Sequence, residues 1–201
     1  MRLVQIFPYI LLMLLVTACK HVGDQQSLKR TEADAKRKAE ASKADSTLFV
    51  VLNSYSGDSI WTTNQETRRE LSFSITELKK KRKMSGSLTS EEVYALVADL
   101  KTKTVYSAIN LSELKGLWLL NDGSGNGIRL NEDGAASNIG ELDDITLRSW
   151  RIKNGQLVFS HIKNDGSDYH EAEETVDITD LSAQKFVFCY HGKQYECSRP
   201  Q

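Results

Sequence analysis

The stretch from residue 114 to residue 162 constrains the fold of this chain most strongly, because short apolar runs alternate in it with turn-forming pairs. Asp-Gly occurs at 122–123 and 133–134, and Asn-Gly occurs at 126–127 and 154–155. Both residues of such a pair adopt positive φ at little cost, which the tightest hairpin turns require. The pattern predicts consecutive antiparallel hairpins.

The hairpin pattern continues to the C-terminus and predicts eight strands, at 114–120, 126–131, 134–139, 145–152, 155–162, 169–179, 184–190 and 194–199. Eight short antiparallel strands are typical of a small closed barrel, because closure removes the exposed edges that an open sheet must protect. The predicted fold is therefore mainly β, with a small antiparallel barrel domain at 114–201.

Residues 47–113 are predicted to form a smaller α+β segment before the barrel. Two strands joined by a turn at 56–58 are expected from Thr47 to about Trp61, and further strands at 70–76 and 104–109.

One amphipathic helix is predicted in this segment, over Ser87–Thr102. Thr89 and Glu92 have the spacing of a capping box. Four apolar residues follow at helical spacing on one face, Val93, Leu96, Val97 and Leu100. The helix is expected to pack on a sheet.

The N-terminus has the pattern of a secretory leader. After Arg2, an apolar run too short to span a membrane leads to Val-Thr-Ala-Cys at 16–19. This tetrapeptide resembles the bacterial lipobox, which is cleaved before a cysteine that carries diacylglycerol and an amide-linked acyl chain such as palmitate. The resemblance implies a signal peptide at 1–18 and membrane attachment at Cys19. A conventional secretory peptide with a chance cysteine is the alternative.

Residues 19–46 are predicted to be a lipidated cysteine followed by a flexible charged tether. Residues 20–46 contain seven Lys and Arg against five Asp and Glu and almost no large apolar side chains, so burial cannot offset the cost of ordering them. The implied location is the bacterial cell envelope. Lys20 does not resemble the aspartate that retains enterobacterial lipoproteins in the inner membrane, which favours the outer membrane.

Cys189 and Cys197 remain as a pair if Cys19 carries lipid, and in an oxidising compartment they predict a disulfide. The two cysteines are symmetric about Lys193, so a three-residue loop at 192–194 would place them opposite each other. Two buried thiols that never meet are the alternative.

Gly116-Leu117-Trp118, followed by hairpins, resembles the Gly-x-Trp pattern of lipocalins and related calycin barrels. In that family the tryptophan closes one barrel end and an arginine from near the last strand stacks on it, which implies that Trp118 and Arg199 form this pair. The stretches LKGLWLLNDGSGNGIRLNEDGAAS and KNGQLVFS further resemble short lipocalin-like domains of bacterial lipoproteins. The resemblance covers 114–201. The domain is shorter than a ligand-carrying lipocalin, and side chains can fill such a barrel.

Two polar groupings were candidates for metal binding. Residues 122–127 with Asp133 have the oxygen spacing of a calcium loop, although strands flank them. A second grouping gathers imidazoles and carboxylates: His161, Asp165, Asp168, His170, Glu171, Glu173 and Glu174. A solvated acidic loop is the simpler interpretation of the second grouping. We therefore predict neither a metal site nor a cofactor.

The sequence contains no Gly-x-Ser-x-Gly, no phosphate loop and no His-Glu-x-x-His, which favours a protein that is not an enzyme. A formal net charge of -1 gives no reason to expect nucleic acid as a partner. The resemblance implies a membrane-anchored binding module for a small apolar ligand, at the barrel end away from Trp118 and Arg199. The inward-facing candidates for ligand contact are Leu130, Trp150, Phe159, Phe186 and Phe188. The alternative is a filled barrel that serves as a structural platform for an envelope protein partner.

Overall fold

The computed structural model describes residues 46–142, 145–164 and 169–200. The predicted signal peptide and the tether with Cys19 lie outside these residues, except for Ser46. Within the described part of the chain, no helix is both long and apolar enough to cross a membrane. This part folds into two sheets and two short helices, which confirms the mainly β prediction.

The first sheet comprises β1 Thr47–Ser56, β2 Ser59–Asn64, β3 Glu70–Ser74, β4 Met84–Ser85, β5 Val93–Asp99 and β6 Thr104–Asn110. Its strand order is β3-β2-β1-β5-β6-β4, and a parallel pairing of Ser74 with Thr104 closes β3 onto β6. Helix α1, Thr76–Lys81, follows β3.

The predicted helix over Ser87–Thr102 is wrong, because β5 occupies the centre of that segment. Tyr94 and Leu96 of β5 pack into the core of the first sheet, whereas Ala95 packs into the core of the second. A strand buried on both faces has a continuous apolar run rather than a period-two alternation, so periodicity cannot distinguish it from a helix.

The second sheet comprises β7 Gly116–Leu120, β8 Gly127–Leu130, β9 Ala136–Ile139, β10 Ile145–Lys153, β11 Gln156–Asn164, β12 Tyr169–Leu181, β13 Lys185–Tyr190 and β14 Lys193–Ser198. These are the eight predicted strands, within three residues at each boundary. The order β10-β11-β12-β13-β14-β7-β8-β9 is closed by a bridge between Ala135 and Ser149, which confirms the predicted barrel.

A column of aromatic rings fills the barrel along its axis. Trp118 contacts Phe186 at a centroid distance of 5.5 Å, and Phe186 stacks on Phe188 at 4.7 Å. Phe188 in turn meets Phe159 at 6.0 Å, and Phe159 meets Tyr190 at 5.7 Å. Because every ring has an aromatic neighbour, the column is a single packed unit that runs from one barrel end towards the other.

Asn110 joins the first sheet to the barrel. Its side-chain oxygen accepts hydrogen bonds from the backbone N–H groups of Ser112 (3.0 Å) and Glu113 (3.1 Å), which caps helix α2, Leu111–Leu114. Its amide nitrogen donates to Ser87 O at 3.0 Å, within the loop before β5. The side chain is fully buried, so the connection between the two sheets is held by satisfied polar contacts.

The predicted disulfide between Cys189 and Cys197 is wrong, because the β13–β14 hairpin has a two-residue turn rather than a three-residue loop. Tyr190 pairs with Lys193, Cys189 pairs with Gln194, and Phe186 pairs with Cys197. Paired residues share a face of the sheet and consecutive residues alternate, so the two thiols lie on opposite faces. Both are free cysteines, with Cys197 fully buried inside the barrel.

The two thiols should differ in reactivity. Burial raises the pKa of the Cys197 thiol to about 12, so it stays protonated as well as shielded at pH 8, whereas Cys189 is partly exposed. Alkylation of the native full chain with iodoacetamide, followed by peptide mapping, should label Cys189 and leave Cys197 unlabelled until the protein is unfolded. A peptide pair linked through Cys189 and Cys197 would contradict this register.

Candidate functional site

One end of the barrel is closed by Arg199 and Trp118. The structure brings the two together, with the guanidinium carbon of Arg199 4.2 Å from the centroid of the Trp118 ring. Arg199 Nη2 also donates hydrogen bonds to the backbone oxygens of Glu113 (2.7 Å) and Lys115 (2.6 Å). Burial lowers the pKa of Arg199 below its usual range, yet a guanidinium remains charged at neutral pH. Charge-assisted hydrogen bonds from Arg199 therefore hold this end of the barrel closed.

Two glycines make room for this closure. Gly116 has a φ of +118°, and a Cβ placed on it would collide with Nη1 of Arg199. A Cβ on Gly127 would collide with the backbone oxygen of Trp118. The glycine of the Gly-x-Trp pattern is thus required by its positive φ, and it also leaves space for the arginine.

The five residues predicted to contact a ligand are all buried in the barrel core: Leu130, Trp150, Phe159, Phe186 and Phe188. Three of them, Phe159, Phe186 and Phe188, belong to the aromatic column and contact each other directly. Trp150 donates its ring N–H to Asn131 O at 2.8 Å. Their inward parity follows the strand alternation, and Phe188 packs against both Phe159 and Phe186.

The opposite end of the barrel carries a polar cluster, which we call the open-end cluster: His161, Glu174, Tyr190 and His191. The Tyr190 hydroxyl and His161 Nδ1 are 2.7 Å apart, and both side chains are 1% exposed. His191 Nε2 lies 2.9 Å from Glu174 Oε2. One donor atom from each of His161, Glu174 and His191 lies within 4.8 Å of the other two.

The strand registers bring the open-end cluster together. In the β11–β12 pair, His161 lies opposite Ala172 and Phe159 lies opposite Glu174, so the histidine and the glutamate share the inner face. His191 takes the first position of the β13–β14 turn with a φ of 51°, followed by Gly192 at 73°. Positive φ at both positions is the type I′ geometry of two-residue hairpins.

Tyr190 supports the cluster as a protonated hydroxyl. Burial raises its pKa above its usual range, and the nearby Glu174 carboxylate raises it further. A neutral phenol can either donate to His161 Nδ1 or accept from it, so Tyr190 accommodates either tautomer of the imidazole.

Only part of the polar grouping found in the sequence belongs to this cluster. His161 and Glu174 do, whereas the side chains of Asp165, Asp168 and His170 lie outside the described residues. Glu171 and Glu173 belong to the other face of β12: Glu171 accepts from Ser160 Oγ at 2.7 Å and Glu173 pairs with Arg151 at 2.6 Å. Sequence analysis missed Tyr190 and His191, which a two-residue turn would have placed beside Glu174.

The calcium alternative fails on geometry. Asp122 Oδ1 accepts from Ser124 N at 2.9 Å in the β7–β8 connection, and Asp133 Oδ1 accepts from Ala135 N at 2.9 Å in the β8–β9 connection. These connections lie at opposite ends of β8, about 10 Å apart at 3.4 Å per residue. The two carboxylates therefore cannot share one calcium ion.

A surface groove of about 300 Å³ lies away from the open-end cluster, between β4 and the end of β12. Within the described residues, β4 pairs only with β6, and the stretch 177–181 of β12 pairs only with β13. Two strand edges therefore face the groove with unpaired backbone groups.

A family model matches the part of the chain that forms α2 and the barrel. The matching model is described as lipocalin-like and spans residues 110–198. This segment is therefore similar to the lipocalin-like family. No curated protein matches the chain. Among solved structures, a lipocalin-like protein from Bacteroides thetaiotaomicron is 22% identical, with coverage of 43% of this chain and 95% of that chain and a TM-score of 0.37.

Replacement of Arg199 by lysine should destabilise the barrel by about 2 to 4 kcal/mol, because lysine loses both the planar contact with Trp118 and the forked hydrogen bonds. Equilibrium unfolding in urea measures this change. Arg129→Lys, at an exposed position of β8, is the matched control and should change the free energy of unfolding by about 0.5 kcal/mol or less. Equal effects of the two substitutions would contradict a closing role for Arg199.

Proposed function

We propose that the lipocalin-like domain is a non-enzymatic binding module for a small molecule that docks at the open-end cluster. The observation that supports this most strongly is the difference between the two barrel ends. Arg199 closes one end with hydrogen bonds to backbone carbonyls, whereas His161 and Tyr190 at the other end present buried polar groups beside partly exposed ones. A few convergent polar groups over an apolar floor are typical of a small-molecule site.

The packed interior determines how such a ligand would bind. Phe159, Phe188 and Tyr190 form ring contacts across the barrel, so a ligand that entered deeply would have to displace close-packed side chains. The ligand of this proposal therefore binds above the buried end of the aromatic column. Its polar group reaches the partly exposed Glu174 or His191. This is a shallower site than the interior pocket expected from the sequence.

The proposal also places the chain in the bacterial cell envelope. The lipobox-like residues 16–19 support attachment through diacylglycerol and palmitate on Cys19, with the outer membrane favoured over the inner. The lipid would hold the lipocalin-like domain at the membrane surface, where several acyl chains together give stable anchoring.

A second candidate function is an interaction platform for an envelope protein. The groove between β4 and β12 favours it, because two unpaired strand edges could accept an extended segment of a partner. In this case the filled barrel would provide rigidity, and the open-end cluster would have no ligand.

Native mass spectrometry of the full chain isolated from its own membranes tests the binding proposal. We expect a small-molecule adduct that disappears on denaturation, because denaturation dismantles the site. Tyr190→Phe, which removes only the hydroxyl, should reduce adduct occupancy, whereas Tyr106→Phe at an exposed position should not. An unliganded mass for the wild type, or equal occupancy in both variants, would count against binding at this end.

The anchor has its own test. The intact mass of the membrane-extracted chain should correspond to a protein that begins at Cys19 and carries acyl chains. Cys19→Ser should abolish the modification and leave the signal segment uncleaved or cleaved elsewhere. Detection of unmodified Cys19 in the membrane-extracted wild-type chain would refute the lipoprotein assignment.

A further inference from the structure

We infer that His161, Glu174 and His191 bind a divalent transition-metal ion, with Zn²⁺ as the representative ion. The inference rests on the proposed function, since it identifies the chemistry of the same open-end cluster. Two imidazoles and one carboxylate form a donor set that Zn²⁺ uses in sites with an open coordination position.

The distances fit a single ion with small adjustments. Zn²⁺ binds nitrogen and oxygen at about 2.0 to 2.2 Å, so the donors of a tetrahedral site lie about 3.3 Å apart. In the structure, His191 Nε2 and Glu174 Oε2 are 2.9 Å apart, and the three donors lie within 4.8 Å of one another. Movements of about 1 Å would bring all three into coordination distance.

The donors come from three elements with different freedom to move. His161 is fixed inside the barrel on β11, at 1% exposure. The side chains of Glu174 on β12 and His191 in the hairpin turn are 31% and 42% exposed, respectively. A fixed inner ligand with two outer ligands allows the outer ones to close on an ion that enters from solvent.

Tyr190 provides the outer-sphere support that metal-bound histidines usually have. Its hydroxyl lies 2.7 Å from His161 Nδ1, so that nitrogen can donate to the phenol oxygen, and Nε2 would then be the ligand atom. Such hydrogen bonds fix the tautomer and the ring orientation of the ligand. Phe159, in edge contact with Tyr190, adds an apolar wall behind the site.

The net charge of the barrel segment favours a cation. From residue 114 onward the chain contains 14 Asp and Glu against 9 Lys and Arg. Three protein ligands leave a fourth position of a tetrahedral ion for water or for a coordinating atom of a small molecule. The metal would therefore be the group through which the module holds its ligand.

Isothermal titration of the chelator-treated full chain with Zn²⁺ tests the inference. We expect one ion per chain at this site. Glu174→Gln and His191→Asn should each weaken binding about tenfold or more, because each removes a ligand. Asparagine suits position 191, since it tolerates positive φ. Glu173→Gln is the matched control on the opposite face of β12 and should bind as the wild type does.

A second readout separates this site from other donors in the chain. Long-range ¹H–¹⁵N spectra should show Zn²⁺-dependent shifts of the His161 and His191 imidazoles, and these shifts should vanish in Glu174→Gln. Equal Zn²⁺ affinity in the wild type and both ligand variants would overturn the inference, as would unshifted imidazoles at Zn²⁺ saturation.

The outcome also distinguishes this inference from the function on which it rests. If the membrane-isolated chain carries an organic adduct but the open-end cluster binds no Zn²⁺, the metal inference fails and the binding module stands. If Zn²⁺ binds as expected but no organic adduct is found, the metal inference stands and the small-molecule proposal fails.

Discussion

The register of the β13–β14 hairpin is the constraint on which the rest of the barrel depends. His191 and Gly192 form a two-residue turn with positive φ at both positions, so Tyr190 pairs with Lys193. This pairing directs Phe186, Phe188 and Tyr190 to the inner face. A shift of one residue in the strand pairing would turn the inward-facing side chains of one strand to the outer face.

The two ends of the barrel follow from that register and from the aromatic column it creates. At the first end, Trp118 packs on Phe186, and Arg199 covers the indole while it donates to backbone oxygens. At the second end, the column finishes at Tyr190, whose hydroxyl meets the buried His161. Aromatic rings occupy the interior, so the polar side chains that could bind a ligand or a metal ion lie at the end of the column rather than within it. This is why we place ligand binding, and the metal site, at the open-end cluster.

The sequence predicted the barrel well because glycine-containing turn pairs mark hairpins by a local conformational need. It failed where burial depends on distant contacts: β5 looks helical because Ala95 and Leu96 enter two different cores. It also failed at the cysteines, since symmetry about Lys193 suggested a three-residue loop where His191 and Gly192 form a shorter turn. The spacing of the cysteines does not determine the length of the turn. With the wrong turn length, His191 was not placed beside Glu174, and most of the candidate site was missed.

Nuclear Overhauser contacts between aromatic side chains of the full chain report the hairpin register and the assembly of the open-end cluster together. We expect contacts between the rings of Phe188 and Tyr195, stacked at 5.1 Å, and between those of Tyr190 and His161, at 5.8 Å. Contacts between the β-protons of Cys189 and Cys197, without the Phe188–Tyr195 contact, would contradict the register and the site built on it.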